Sequence, residues 1–215
     1  METIEARITL IGVRRVADLR LRGPAGSIPV RVRWPRSPSA PPLVVFLPDA
    51  APADGVNEED DALGHELCST VGAVVLCIPW APRRPGALDR AEAALMWAAD
   101  HGAELGADPS RLVVAGRGAG AVAAAALALR ARDRGWPPIR RQVLIVADAG
   151  TRRPPAHDDP SAPAGAGAPA PAILVVPDAG HSRCSQWLRA TGADVEEVRC
   201  VADLVTLLRA ALEDR

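Results

Sequence analysis

Six residues of this 215-residue chain, Gly116-Arg117-Gly118-Ala119-Gly120-Ala121, stand between an apolar run and an alanine-rich one. Two chemistries fit them. As G-x-G-x-x-G/A, with Gly116, Gly118 and Ala121 in the motif positions, they would cradle a phosphate. Glycines let the backbone approach it, and a helix N-terminus offers free N–H groups. As a sharp turn from strand into helix, they would form the elbow that usually displays a serine nucleophile, here with glycine in its place. The cradle also needs an acidic residue about 20 positions on to hold a ribose. The nearest, Asp148, lies farther along, and the loop follows the fifth expected strand rather than the first, so anion or nucleotide binding at Gly116–Gly120 ranks last. Arg117 is the feature that would serve it, an arginine beside backbone donors. The stronger expectation is that Arg117 pairs with Asp49 or Asp148 across strand ends.

Other reactive residue types are scattered. His65 and His101 fall within helical stretches. His157, Asp158 and Asp159 are metal-ligand types, but in a Pro/Gly/Ala-rich segment they read as a solvated polar run, and no metal is expected. His181 and Cys184 are three apart at a helix start. A cysteine–histidine nucleophile pair there has no other support in the chain. Four cysteines (Cys68, Cys77, Cys184, Cys200) lack the close pairing of a zinc site, and Cys77 in "AVVLCI" reads as core.

The elements that must position these residues are legible as periodicities. Five runs are apolar on both faces, as in strands covered on both sides within a parallel sheet: 43–47, 73–78, 111–116, 142–148 and 172–178. Helical stretches alternate with them at 58–71, 87–105, 121–134, 185–191 and 202–215. This alternation predicts right-handed crossovers and a doubly wound sheet. "TIEARITLI" (3–11) and "IPVRVRWP" (28–35) alternate polar and apolar residues and are expected to be antiparallel edge strands, with Pro24 and Gly26 in the turn between them. "VEEVRCV" (195–201) reads as a late edge strand. About eight strands result, mixed at one edge and parallel elsewhere, in a single domain over 1–215. Residues 151–171 are expected to form a flexible Pro/Ala/Gly-rich loop.

From about Ile28 to Val146 this order of motifs resembles the α/β-hydrolase fold, specifically the hormonesensitive-lipase-like esterases. "PPLVVFLPDAA" sits where that group has a strand ending in its HGGG oxyanion loop. "GAVVLCIPWAPRRP" resembles its strand and A-P-x-x-P turn, and "AEAALMWAADHGAELGADPSRLVVAG" its approach to the elbow. The fold implied is an eight-stranded, mostly parallel sheet with helices on both faces and the cap largely absent. At the elbow the group has G-D-S-A-G, so the resemblance assigns the nucleophile position to Gly118, which has no hydroxyl. The oxyanion-loop equivalents become Pro48, Asp49, Ala50 and Ala51, with Ala119 following the nucleophile position. Alanine in a left-handed glycine conformation costs about 1–2 kcal/mol, and an Asp49 carboxylate would repel a developing oxyanion. The acid would fall near His181, with Asp178 three residues earlier. No histidine follows His181. The resemblance therefore implies a non-catalytic pseudo-esterase acting by binding or subunit association. The alternative is a carboxylic ester hydrolase with residual or rerouted activity.

Composition bounds the partners. Apolar residues are 48% of the chain and the formal net charge is −1, which argues against general nucleic-acid or anionic-membrane binding. The first residues carry acids and no long apolar stretch, and no run reaches spanning length, so the expectation is a soluble cytoplasmic protein without a cofactor. Its partner is an unidentified small molecule or protein. The late edge strand offers a surface for homodimer pairing.

Overall fold

The computed structural model describes residues 12–23, 26–37, 40–49, 57–79, 81–82, 84–146, 169–176 and 183–213. Among these, eight strands form one sheet: β1 (Val13–Gly23), β2 (Gly26–Pro35), β3 (Pro42–Leu47), β4 (Val74–Cys77), β5 (Asp108–Arg117), β6 (Ile139–Ile145), β7 (Ala172–Val175) and β8 (Val195–Val198). Their spatial order is β1-β2-β4-β3-β5-β6-β7-β8. β1 pairs with β2, and β2 with β4, antiparallel; every other pairing is parallel. The mixed edge and parallel remainder agree with the sequence reading.

The apolar runs bury both faces because successive side chains alternate sides of the pleat. Leu43, Val45 and Leu47 of β3 join one cluster with Leu112 and Val114 of β5. Val44 and Phe46 join the opposite cluster with Val113 and Ala115. The first cluster is covered by α2 (Ala87–Asp100), α3 (Ala119–Arg134) and α4 (Arg183–Ala190). The second is covered by α1 (Glu58–Glu66), its π-helical extension Leu67–Val71, and α5 (Val201–Glu213). Leu204, Leu208 and Leu212 are buried and Leu207 packs against them, so the last helix spends its apolar stripe on the core. Cys77 is fully buried in the same layer, as expected.

The strand that pairs with β2 lies later in the chain than the alternation suggested. Residues 3–11 lie outside the described residues, and the partner of β2 is Val13–Gly23 instead. The connection dictates this: Gly23 pairs with Gly26, and from there the register uses up β2 by the time Val13 meets Pro35. Gly26, expected in the turn, is the first residue of β2, and Pro24 lies outside the described residues. Most of the 151–171 segment, and the residues on which a cap expectation would rest, also lie outside the described residues.

Successive strands step one way from β3 to β4 and then cross over β3 to β5. In open α/β sheets, the carboxyl ends of strands at such a reversal are where loops diverge and leave a crevice. Leu47 at the end of β3 is in register with Gly116 of β5. The segments just beyond, Pro48-Asp49 and Arg117-Gly118-Ala119, are therefore neighbours by topology.

Candidate functional site

The elbow is a single residue long. β5 ends at Arg117, α3 begins at Ala119, and Gly118 between them has φ 55° and ψ −120°. A positive φ with this ψ is open to glycine and strained for other residues. The turn is held by the Gly118 N–H donating to Ile145 O at 2.9 Å and the Ala121 N–H donating to Gly118 O at 3.1 Å. A Cβ on Gly120 would stand 2.8 Å from the Leu47 carbonyl carbon and closer still to its oxygen, so α3 rests directly on the end of β3. Close backbone packing accounts for Gly120, and backbone conformation for Gly118, without any phosphate.

Asp49 comes to the elbow from the end of β3. Its Oδ1 accepts the Ala119 N–H at 2.9 Å. A Cβ built on Gly118 would lie 2.5 Å from that same Oδ1, with Cγ and Oδ2 nearer. The carboxylate thus fills the space into which a side chain at 118 would project. It also takes the first free donor of α3, where helix-end polarity favours negative charge. Asp49, expected near an oxyanion loop, accepts the Ala119 N–H at the start of α3.

Behind Asp49 lies a polar network that the sequence reading did not find. Asn57 caps α1, its Oδ1 accepting the Asp60 N–H at 2.8 Å. Asp60, with no exposed side-chain surface, accepts the Asp49 N–H through Oδ2 at 3.0 Å and the Arg117 Nε–H through Oδ1 at 2.5 Å. Arg117 also donates to Glu59 Oε2 at 2.7 Å and Asn57 Oδ1 at 3.3 Å. The hydrogen bond that Arg117 donates to Asp60, reinforced by that to Glu59, raises the Arg117 pKa although burial works against the charged form. Arg117 is ion-paired, but with Asp60 and Glu59 rather than with Asp49, and Asp148 lies outside the described residues. A signal for them was present: "NEED" places a capping Asn three residues before an acid, the spacing that turns the acid back towards the helix start.

The other candidates are spread out or lie elsewhere. His65 is exposed on α1. His101 closes α2, stacked on Trp97 with ring centroids 4.7 Å apart and Nδ1 3.0 Å from Trp97 O. Ala50, Ala51, Asp148, His157, Asp158, Asp159, Asp178 and His181 lie outside the described residues, as does the Cys184 side chain. Among the described residues, no helix is long and apolar enough to cross a membrane.

With that geometry in hand, comparison with known proteins gives a consistent answer. A family model described as alpha/beta hydrolase fold matches residues 54–204. The chain is 36% identical to Esterase LipI of Mycobacterium tuberculosis over 139 residues, 60% of this chain and 43% of that protein. It is 37% identical to Carboxylesterase NlhH of the same organism over 122 residues, 54% of this chain and 38% of that protein. The chain spans less than half the length of the curated relatives it matches. Among solved structures it superposes on a bacterial heroin esterase with a TM-score of 0.74 at 21% identity, covering 97% of this chain and 87% of that one. A Pyrobaculum calidifontis esterase gives 0.72 at 23%, covering 94% and 86%. At those identities the superpositions speak for the fold. The names of the curated relatives favour the ester-hydrolase alternative over the non-catalytic reading that the elbow residues imply.

Proposed function

The chain belongs to the α/β-hydrolase fold family, and from that premise we propose that it is an ester-hydrolase relative that acts by binding or association rather than by seryl catalysis. The observation that carries this reading is Gly118 at the strand-to-helix turn. The position the resemblance assigns to the nucleophile has no hydroxyl, and the neighbouring donor, Ala119 N–H, is taken by Asp49. Acyl transfer needs a nucleophile and donors aimed at the developing oxyanion, and these act as a unit. Arg117 is engaged by two carboxylates, so an anion ligand there would have to displace them; this supports a structural role over anion binding. Association has its own locus in β8, the outermost strand on its side of the described sheet.

The second reading is a carboxylic ester hydrolase that uses another route, with Asp178 or His181 among its groups. What favours it is the esterase naming of relatives at 36–38% identity. One experiment separates the two: hydrolysis of p-nitrophenyl acetate and butyrate by pure protein, alongside Gly118→Ser and His181→Ala. The first reading expects no turnover above a heat-denatured control. Turnover that disappears in His181→Ala would establish the second.

A further inference from the structure

The position of Asp49 implies more than a missing nucleophile. Its carboxylate both fills the volume over Gly118 and accepts the Ala119 N–H, while its own backbone N–H is held by buried Asp60. Backbone and side chain are thus anchored at opposite ends, by α1 and by α3. Glycine at 118 and aspartate at 49 are mutually dependent: any Cβ at 118 collides with the carboxylate. We propose that Asp49 is an internal ligand of the elbow, a carboxylate that must leave before a side chain at 118 or an external acyl or carboxylate group can occupy that volume. This rests on the non-catalytic reading above and adds to it the reason why restoring serine alone would not rebuild the site.

The test is a double-mutant cycle read by thermal unfolding of the full chain. Gly118→Ala is made in the wild type, in Asp49→Gly and in Asp49→Asn. Positive-φ strain is common to all three backgrounds, so differences between them report the collision. The expected result is a Tm drop about twofold or more larger in the wild type and Asp49→Asn than in Asp49→Gly. Gly118→Ala folding only in the Asp49→Gly background points the same way, whereas equal drops in all backgrounds overturn the proposal. A second arm uses sodium formate against sodium chloride at equal ionic strength. Asp49→Gly should gain Tm with formate, because a small carboxylate can restore the bond to Ala119 N–H, while the wild type should not. Absence of any formate-specific gain in Asp49→Gly counts against internal ligation. Ester turnover by the wild type would instead remove the non-catalytic reading, so the two failures are distinguishable.

Discussion

Asp60 and Arg117 form an ion pair that ties the first turn of α1 to the last residue of β5. The Asp60 side chain has no exposed surface, and that of Arg117 is 20% exposed. Each end of the pair is also hydrogen-bonded elsewhere, Asp60 to Asp49 and Arg117 to Glu59 and Asn57. Removing one member of a buried pair leaves the other charge without compensation, which costs far more than the intact pair contributes.

Asp60→Ala should therefore destabilise the protein by about 3–5 kcal/mol, measured from urea unfolding. Asp60→Asn, which keeps one acceptor oxygen, should lose less. A loss under about 1 kcal/mol for the alanine variant would mean that the network does not anchor the elbow.

Gly120→Ala sets two effects against each other. Alanine favours a helix over glycine by about 1 kcal/mol. Here, however, its Cβ would overlap the backbone carbonyls of Leu47 and Pro48, which cannot rotate away as a flexible side chain would. Overpacking of this kind costs about 1–3 kcal/mol, so a net loss of stability is expected. A stabilised variant would show that α3 can lift off β3 cheaply.

Acid should weaken the protein partly through Asp61. Burial disfavours its charged form, but hydrogen bonds from Arg33 and Arg31 more than offset this and hold the carboxyl below its ordinary 3.8. A folded pKa below the unfolded one gives stability that is present above about pH 4 and is lost as pH falls through the folded value. The Tm gap between wild type and Asp61→Asn should therefore narrow below about pH 4. A gap that stays constant from neutral pH down to about 2.5 would assign the role of Asp61 to packing alone.

Burial pushes the Cys68 and Cys77 thiols up to about 12, where almost none is thiolate at neutral pH. In native protein at pH 8 both should resist iodoacetamide, while exposed Cys200 reacts. Peptide mapping after labelling, with and without urea, reads this directly. Modification of Cys77 in the folded state would contradict its place in the sheet.

The sheet was legible because burial on both faces writes itself into the chain as uninterrupted branched apolar runs, as in β3, β4 and β7. Where one face meets water the pattern is weaker. The alternation at 3–11 pointed to a partner for β2, and the hairpin register gives that place to Val13–Gly23. The α5 stripe and the burial of Cys77 needed no more than local periodicity and composition.

The elbow divides along the same line. The sequence by itself determined that residue 118 brings no hydroxyl, that a glycine stands at a turn from strand to helix, and that the chain follows the order of an α/β-hydrolase core. These depend on residue identity and short-range spacing. Only the tertiary structure decided that Asp49 lies over Gly118 and on Ala119 N–H, and that Arg117 turns to Asp60 and Glu59. Those residues are between 57 and 70 positions apart along the chain. Their meeting is set by the parallel pairing of β3 with β5 and by the packing of α1, which no local pattern encodes.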